Sequence, residues 1–427
     1  MALAIGITLG ALLWIAPRAG LARPENIAAT DPVIGELIPI STLSIDESAP
    51  AVAYDSDRGE FLVVWHNYRP FADDDIYAQR VSTHGGLLSW FNVDHLSPIT
   101  GDRNCPAVAY SIHHGDYLVV YSRDAGGGSW DVLGRRVDIY GPQGNEFTIA
   151  TSTTMPNASE DRPAVAYNSV EDNYLVAWVQ PGTDKEIWGR LVAGTAGGGP
   201  GGSEFLNTAQ NLTSPLSDDC GSPDLAFHPG RNQYMLAFDR YVSGMGSNVI
   251  ARLVNATGVY STGAQITISS DGDSPAAAAN AAADQYLVAY RYTGGASYTE
   301  IWVYSTGGDL SGVVNTSFTP SPGDDHSDPD IANLGDTDLY QVVWSAQLSP
   351  PGGRGIRGRR VNTVWDQSPT FDIHVVSLDY ENVPAVANSS PTTLVVWEHD
   401  GASSYEIFGH LLGYRVYLPL VLRSFFP

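Results

Sequence analysis

An all-β fold, a ring of seven four-stranded antiparallel blades (a seven-bladed β-propeller), is predicted by three features of the sequence. A segment that begins with proline recurs seven times at near-constant spacing. Each recurrence is followed by the same two apolar strand patterns. The repeat also begins one strand early and ends one strand short.

The recurring segment is clearest as Pro50-Ala-Val-Ala-Tyr54, Pro106-Ala-Val-Ala-Tyr110 and Pro163-Ala-Val-Ala-Tyr167. Looser copies start at Pro223, Pro275, Pro329 and Pro384, so successive prolines lie 56, 57, 60, 52, 54 and 55 residues apart. An aromatic and β-branched run follows each one, among them Phe61-Leu-Val-Val-Trp65, Tyr174-Leu-Val-Ala-Trp178 and Thr393-Leu-Val-Val-Trp397. A third element then appears, as in Asp75-Ile-Tyr-Ala-Gln-Arg-Val81, Glu186-Ile-Trp-Gly-Arg-Leu-Val192 and Glu406-Ile-Phe-Gly-His-Leu-Leu412. These short runs, bounded by Gly, Asp, Asn and Ser, are strands. A looser fourth strand fits before the next proline, for example Phe147–Ile149, Gln265–Ile268 and Phe371–Ile373.

A solenoid of the same strands needs a polar cap at each end, and neither terminus supplies one. The segment Glu36–Ile40 occupies a fourth-strand position ahead of the first repeat, while the seventh repeat has only three strands before Leu412. The N-terminal strand is therefore expected to complete the last blade. Small alanines in the first strand suit a crowded axis. The apolar second strand suits burial on both faces.

Composition narrows the classes of function. With 43% apolar residues the chain folds, and with 47 acidic against 22 basic residues its charge of −25 repels nucleic acid. The single lysine, Lys185, and the 44 glycines argue against a helix bundle. Residues 1–22 read as a signal peptide: the apolar run Ala2–Ala16 is halted by Pro17, and Gly20-Leu21-Ala22 is a small-x-small cleavage site. The propeller then spans 23–412, and 413–427 form an apolar tail. Neither Ala2–Ala16 nor Val416–Leu422 is long enough to span a bilayer as a helix, so the mature protein is expected without a membrane span, secreted or on the cell surface.

The pattern Leu62-Val-Val-Trp65 followed by Asp75-Ile-Tyr-Ala-Gln-Arg-Val81 resembles the repeats of bacterial secreted β-propeller proteins and is distantly similar to TolB-like propellers. The resemblance covers nearly the whole mature chain. It implies a fold and leaves activity open, since such rings host binding modules, scaffolds and enzymes.

Two loop sets share one face of such a ring. The first carries an acid four positions before the proline in five repeats: Asp46, Asp102, Asp219, Asp271 and Asp325, with Glu381 nearby in the seventh. These either accept backbone N–H groups in the turn or hold hard cations such as Ca2+; no cofactor is required. The second set holds His66, Asp73, Arg123, Arg240, Arg291, Glu398 and His399, a mixture suited to sugar acids or peptides, with Tyr68 and Trp130 as stacking surfaces. Arginines on the third strand, Arg135, Arg190, Arg252 and Arg359, are expected to lay their stems over the next strand and keep their guanidiniums wet. Cys105 and Cys220 fall in repeats two and four, and a disulfide between them requires their loops to converge on the axis.

Enzyme signatures fail. The sialidase-type Ser-x-Asp-x-Gly-x-Thr-Trp turn is approached only once, at Ser122–Trp130, in the wrong loop; no Gly-x-Ser-x-Gly elbow or Cys-x-x-Cys pair is present. The expected function is a secreted, non-enzymatic binding or interaction module for a polysaccharide, peptide or surface protein. A carbohydrate-active hydrolase or lyase with its site on the loop face is the alternative, and a structural component of the cell envelope is another.

Overall fold

The computed structural model describes residues 33–413, apart from 44, 70–71, 95–99, 154–161, 183, 215, 217, 259, 295–297, 313, 320–323, 336, 349–351, 366, 376–379, 391 and 402–403. The expected signal peptide, residues 1–22, lies outside the described residues, as does the expected tail beyond Gly413.

Seven four-stranded antiparallel sheets form the ring. Blades 1 to 6 run Glu47–Asn92, Arg103–Thr153, Ala164–Asn211, Asp219–Ser269, Gly272–Ser317 and His326–His374. Blade 7 consists of Glu381–Asn388, Thr393–Asp400 and Tyr405–Gly413, with Val33–Ser41 as its outer strand. That N-terminal strand pairs antiparallel with the third strand, Ile38 opposite Gly409 and Pro39 opposite Phe408. First and last segments of the ring are thus joined by backbone hydrogen bonds, as the phase of the repeat predicts. Among the described residues no helix is long and apolar enough to cross a membrane.

The second strand of each blade is the core. Phe61, Leu62, Val63 and Val64 have no exposed surface, and the equivalents in every other blade are similarly buried. Because successive side chains point to opposite faces, each such strand packs against the blades on both sides. Thus Leu62 and Val64 join a cluster with Tyr117, Val119 and Tyr121 of blade 2, while Phe61, Val63 and Trp65 join Leu394 and Val396 of blade 7.

The prolines mark a bulge. The preceding residue has φ between +46° and +53° in six blades, at Ala49, Cys105, Ser222, Ser274, Asp328 and Val383. Pairing slips by one residue there: Ser48 faces His66, but Ala51 faces Val64. Proline fits the irregularity because it has no N–H for the ladder to satisfy.

The third-strand glycine has a different cause. A Cβ on Gly134 would lie 2.7 Å from the Phe147 ring, and one on Gly189 would lie 2.5 Å from Leu212, because outer-strand side chains fold over these positions. The arginines beside them are not wetted as expected. Arg135 and Arg252 are 6% and 4% exposed. Arg190, Arg252 and Arg359 donate to carbonyl oxygens of the preceding blade, at Ile149 (3.3 Å), Leu212 (2.6 Å) and Phe318 (2.8 Å). The physical reason is that outer-strand ends, and the register shift at Ile149, offer carbonyls without ladder partners, and a guanidinium satisfies them.

The glycine-rich stretch 194–203 is a long turn within blade 3, with a 3-10 turn at Pro200–Gly202, after which Phe205 bridges back to Val192. It is not a domain linker.

Closing the ring through Val33–Ser41 has a measurable consequence. Ile38 is buried and Leu37 is exposed. Ile38→Ala should cost about 3 kcal/mol in denaturant unfolding, and Leu37→Ala less than about 0.5 kcal/mol.

Candidate functional site

Each inner strand starts, and each second strand ends, at the proline end of its blade, so both loop sets occupy one face. The acids four positions before the prolines act there as clasps between blades. Asp102 Oδ1 accepts the Asp74 N–H of blade 1 at 3.1 Å, Asp219 Oδ1 the Lys185 N–H of blade 3 at 2.8 Å, and Asp325 Oδ1 the Thr299 N–H of blade 5 at 2.9 Å. Asp46 accepts from Tyr405 of blade 7 at 3.1 Å. The next residue returns the bond: Arg103, Cys220 and His326 donate their N–H groups to the carbonyls of Asp74, Lys185 and Thr299. Asp271 differs and takes the Ser270 hydroxyl at 2.8 Å. Among the described residues no three of these aspartates come within metal-ligand reach of one another. Four of the acids, Asp46, Asp102, Asp219 and Asp325, are each engaged by a backbone N–H of a neighbouring blade, the turn role expected as the alternative to cation binding. Asp102→Ala should lower stability by about 1 kcal/mol, read from the denaturation midpoint.

The second loop set is also largely engaged within the scaffold. His66 lies 3.0 Å from Ser48 Oγ and 3.1 Å from Asp74 Oδ2. Asp73 accepts the Gly101 N–H at 2.7 Å. Arg123 pairs with Asp131, Arg240 with Asp218, and Arg291 binds Asp273 through two bonds of 2.6 and 2.8 Å. Glu398 accepts the Ala49 N–H at 2.6 Å across the closure, and burial raises its pKa. The structure therefore spreads these residues around the rim as cross-strand and inter-blade pairs. Trp130 is buried, while Tyr68 is exposed.

The seven prolines and the residues beside them line an axial channel of about 260 Å3. Two blades place aspartate where the repeat has alanine. Asp224 accepts the Ala277 N–H and Asp330 the Val386 N–H, both at 2.7 Å. Removal from water raises Asp224 to about 6. It raises Asp330 to about 7, with the Asp224 charge adding to the shift and Arg162 opposing it. Neither aspartate nor Arg162 belonged to the expected site; the signal was the Pro-Asp exchange in repeats four and six.

Both acids bind protons more tightly folded than unfolded, so their stability contribution is complete below about pH 4 and is lost as pH rises through 6 and 7. Asp330→Asn should therefore shift the stability difference in the variant's favour by on the order of 1–2 kcal/mol between pH 5 and pH 8, measured by urea unfolding.

A larger recess opens on the same face between blades 2 and 3. Its volume is about 700 Å3, and Thr148–Thr151 of blade 2 face Trp178, Gln180, Trp188 and Arg190 of blade 3 across it. The tryptophans are cross-strand partners. Trp178 Nε1 donates to Gln180 at 3.0 Å and Trp188 Nε1 to Glu186 at 3.2 Å. Trp188 pairs with Asn211 of the outer strand, Gln210–Asn211, and its ring is half-buried at the edge of the recess.

At the boundary of blades 6 and 7, Glu381 lies fully buried between His399, whose Nδ1 is 2.7 Å from Oε1, and His374, whose Nε2 is 3.6 Å from the same atom. Of the expected residues, His399 is thus brought together with two others as a set of possible metal donors.

Cys105 and Cys220 are buried as separate thiols in blades 2 and 4, with blade 3 between them, which corrects the disulfide. Burial pushes the Cys220 thiol up to about 12.

No protein-family model and no curated protein sequence matches the chain. Solved structures share the ring. An ulvan lyase with a bound saccharide aligns at TM-score 0.55 and 9% identity, over 86% of this chain and 94% of that one. An α-L-arabinanase from Penicillium chrysogenum, in complex with arabinobiose, aligns at 0.51 and 12%, over 90% and 99%. The propeller domain of the Trilobed protease from Pyrococcus furiosus, described as having an open velcro topology, aligns at 0.51 and 8%, over 87% and 99%. At these identities the likeness is one of fold, and the chain is a seven-bladed β-propeller closed by its own N-terminal strand.

Proposed function

We propose that this propeller is an exported, non-enzymatic module that binds a polysaccharide in the recess between blades 2 and 3. The observation that carries this reading is the half-buried Trp188, which lines about 700 Å3 beside the buried Trp178, with Gln180, Glu186 and Arg190 close by. Sugar rings present apolar C–H faces and polar rims, and an aromatic face beside a few fixed polar groups meets both. The recess volume lies within the range of ligand sites, whereas the axial channel of about 260 Å3 is narrow for a saccharide chain. The ulvan lyase and the arabinanase act on saccharides, which makes carbohydrate the first ligand class to test.

A hydrolase needs paired carboxyls flanking a bound sugar. The raised acids Asp224 and Asp330 face the narrow channel rather than the recess, which favours binding over turnover.

Affinity electrophoresis against a panel of soluble acidic and neutral polysaccharides should show retardation. Trp188→Ala should weaken binding by roughly thirtyfold, about 2 kcal/mol, in protein whose circular dichroism shows that it stays folded at the temperature of the assay. Retardation unchanged in that variant, or depolymerisation of the retained glycan, would reject the reading.

A further inference from the structure

We propose that His374, Glu381 and His399 form a site for one first-row divalent transition-metal ion, Zn2+ above all, at the boundary of blades 6 and 7. The repeat supplies its own control. At the boundary of blades 7 and 1 the equivalent positions are Ser41, Glu47 and Asn67, grouped around Trp65. There the buried carboxylate is satisfied by neutral donors: Ser41 Oγ at 2.6 Å, Trp65 Nε1 at 2.8 Å and Asn67 Nδ2 at 3.4 Å, all onto Oε1.

At blades 6 and 7 the carboxylate is kept, and both small polar partners are replaced by imidazoles. Trp397 occupies the place of Trp65, yet among the described residues its Nε1 has no hydrogen-bond partner. Its ring instead stacks on His374, with centroids 5.2 Å apart. Glu381 has thus turned from the indole to the two histidines.

One donor atom from each of the three residues lies within 4.8 Å of the others. Ligands about 2.1 Å from a tetrahedral Zn2+ stand about 3.4 Å apart, and the 2.7 Å and 3.6 Å separations from Glu381 Oε1 bracket that value. Two imidazoles and one carboxylate suit Zn2+ and its neighbours, whereas Ca2+ takes six to eight oxygens. The carboxylate is fully buried and the imidazoles are 16% and 17% exposed, which leaves a fourth position for water or a ligand oxygen. The donors come from the outer strand of blade 6 and from the first two strands of blade 7, so the ion would cross-link the blades next to the ring closure.

The test is titration of the chelator-stripped full chain with Zn2+ by calorimetry and with Co2+ by visible absorption. One equivalent should bind, with Co2+ ligand-field bands that Zn2+ removes and Ca2+ does not, and Zn2+ should raise the melting temperature. The double variant His374→Ser, His399→Asn copies the residues that blade 1 already tolerates around Glu47. It should weaken Zn2+ binding by at least about 100-fold while the metal-free circular dichroism stays unchanged. Wild-type protein that binds no stoichiometric Zn2+ or Co2+ would overturn the site, whether or not the variant folds. Wild-type affinity in a folded double variant would overturn it as well. Glycan binding at Trp188 is independent of either result.

Discussion

The second strand of every blade is apolar on both faces, and a strand of that kind must be covered by a sheet on each side. No blade can therefore satisfy its own core, and a linear row would leave two such faces in water. Closure of the circle is the constraint from which the other features follow. Val33–Ser41 shuts the ring with a backbone ladder, which suits a joint whose side chains repeat around the circle and so discriminate poorly among blades. The aspartate clasps and third-strand arginines then hold successive sheets at one angle by bonding backbone groups that strand ends leave without ladder partners. Since both devices bind backbone, they tolerate wide variation in the side chains they connect.

What could be read from sequence follows from that division. The prolines and the aromatic runs obey rules that act within one blade: a donorless residue at a bulge, and β-branched and aromatic residues on a doubly buried strand. Such rules leave a periodic trace, so ring, blade number and closure were legible. Asp102 was recognisable as a recurring acid, but its partner is the N–H of Asp74 in the preceding blade. A backbone donor has no residue type, and nothing in the composition marks it. The same blindness turned buried arginines such as Arg252 into expected surface residues. The recess at Trp188 escaped for a further reason: Thr148–Thr151 and Trp188 belong to neighbouring blades, and no pattern within one repeat marks their meeting.

Position three residues before the proline shows how one backbone serves different chemistry. It is buried between blades in each of Glu47, Arg103, Cys220, His326 and Glu381. Blade 1 solves the buried acid with hydroxyl, amide and indole donors. Blade 2 solves a buried guanidinium with two acids, Glu146 at 3.0 Å and Asp94 at 3.1 Å. Blade 6 places an imidazole that accepts the Trp344 indole N–H at 3.1 Å, and burial lowers that histidine to about 4, keeping it neutral for the task.

These nodes change identity without changing the fold because each is enclosed by apolar second strands that hold their geometry whichever polar group lies between them. A departure from the repeat at such a node is not demanded by the scaffold, since the other described boundaries close without it. Departures are therefore where selection for something other than folding is legible: the Pro-Asp exchanges on the axis, and the histidines that displace serine and asparagine around Glu381. In a ring of near-identical blades, periodicity reports the architecture, and its local failure reports the chemistry.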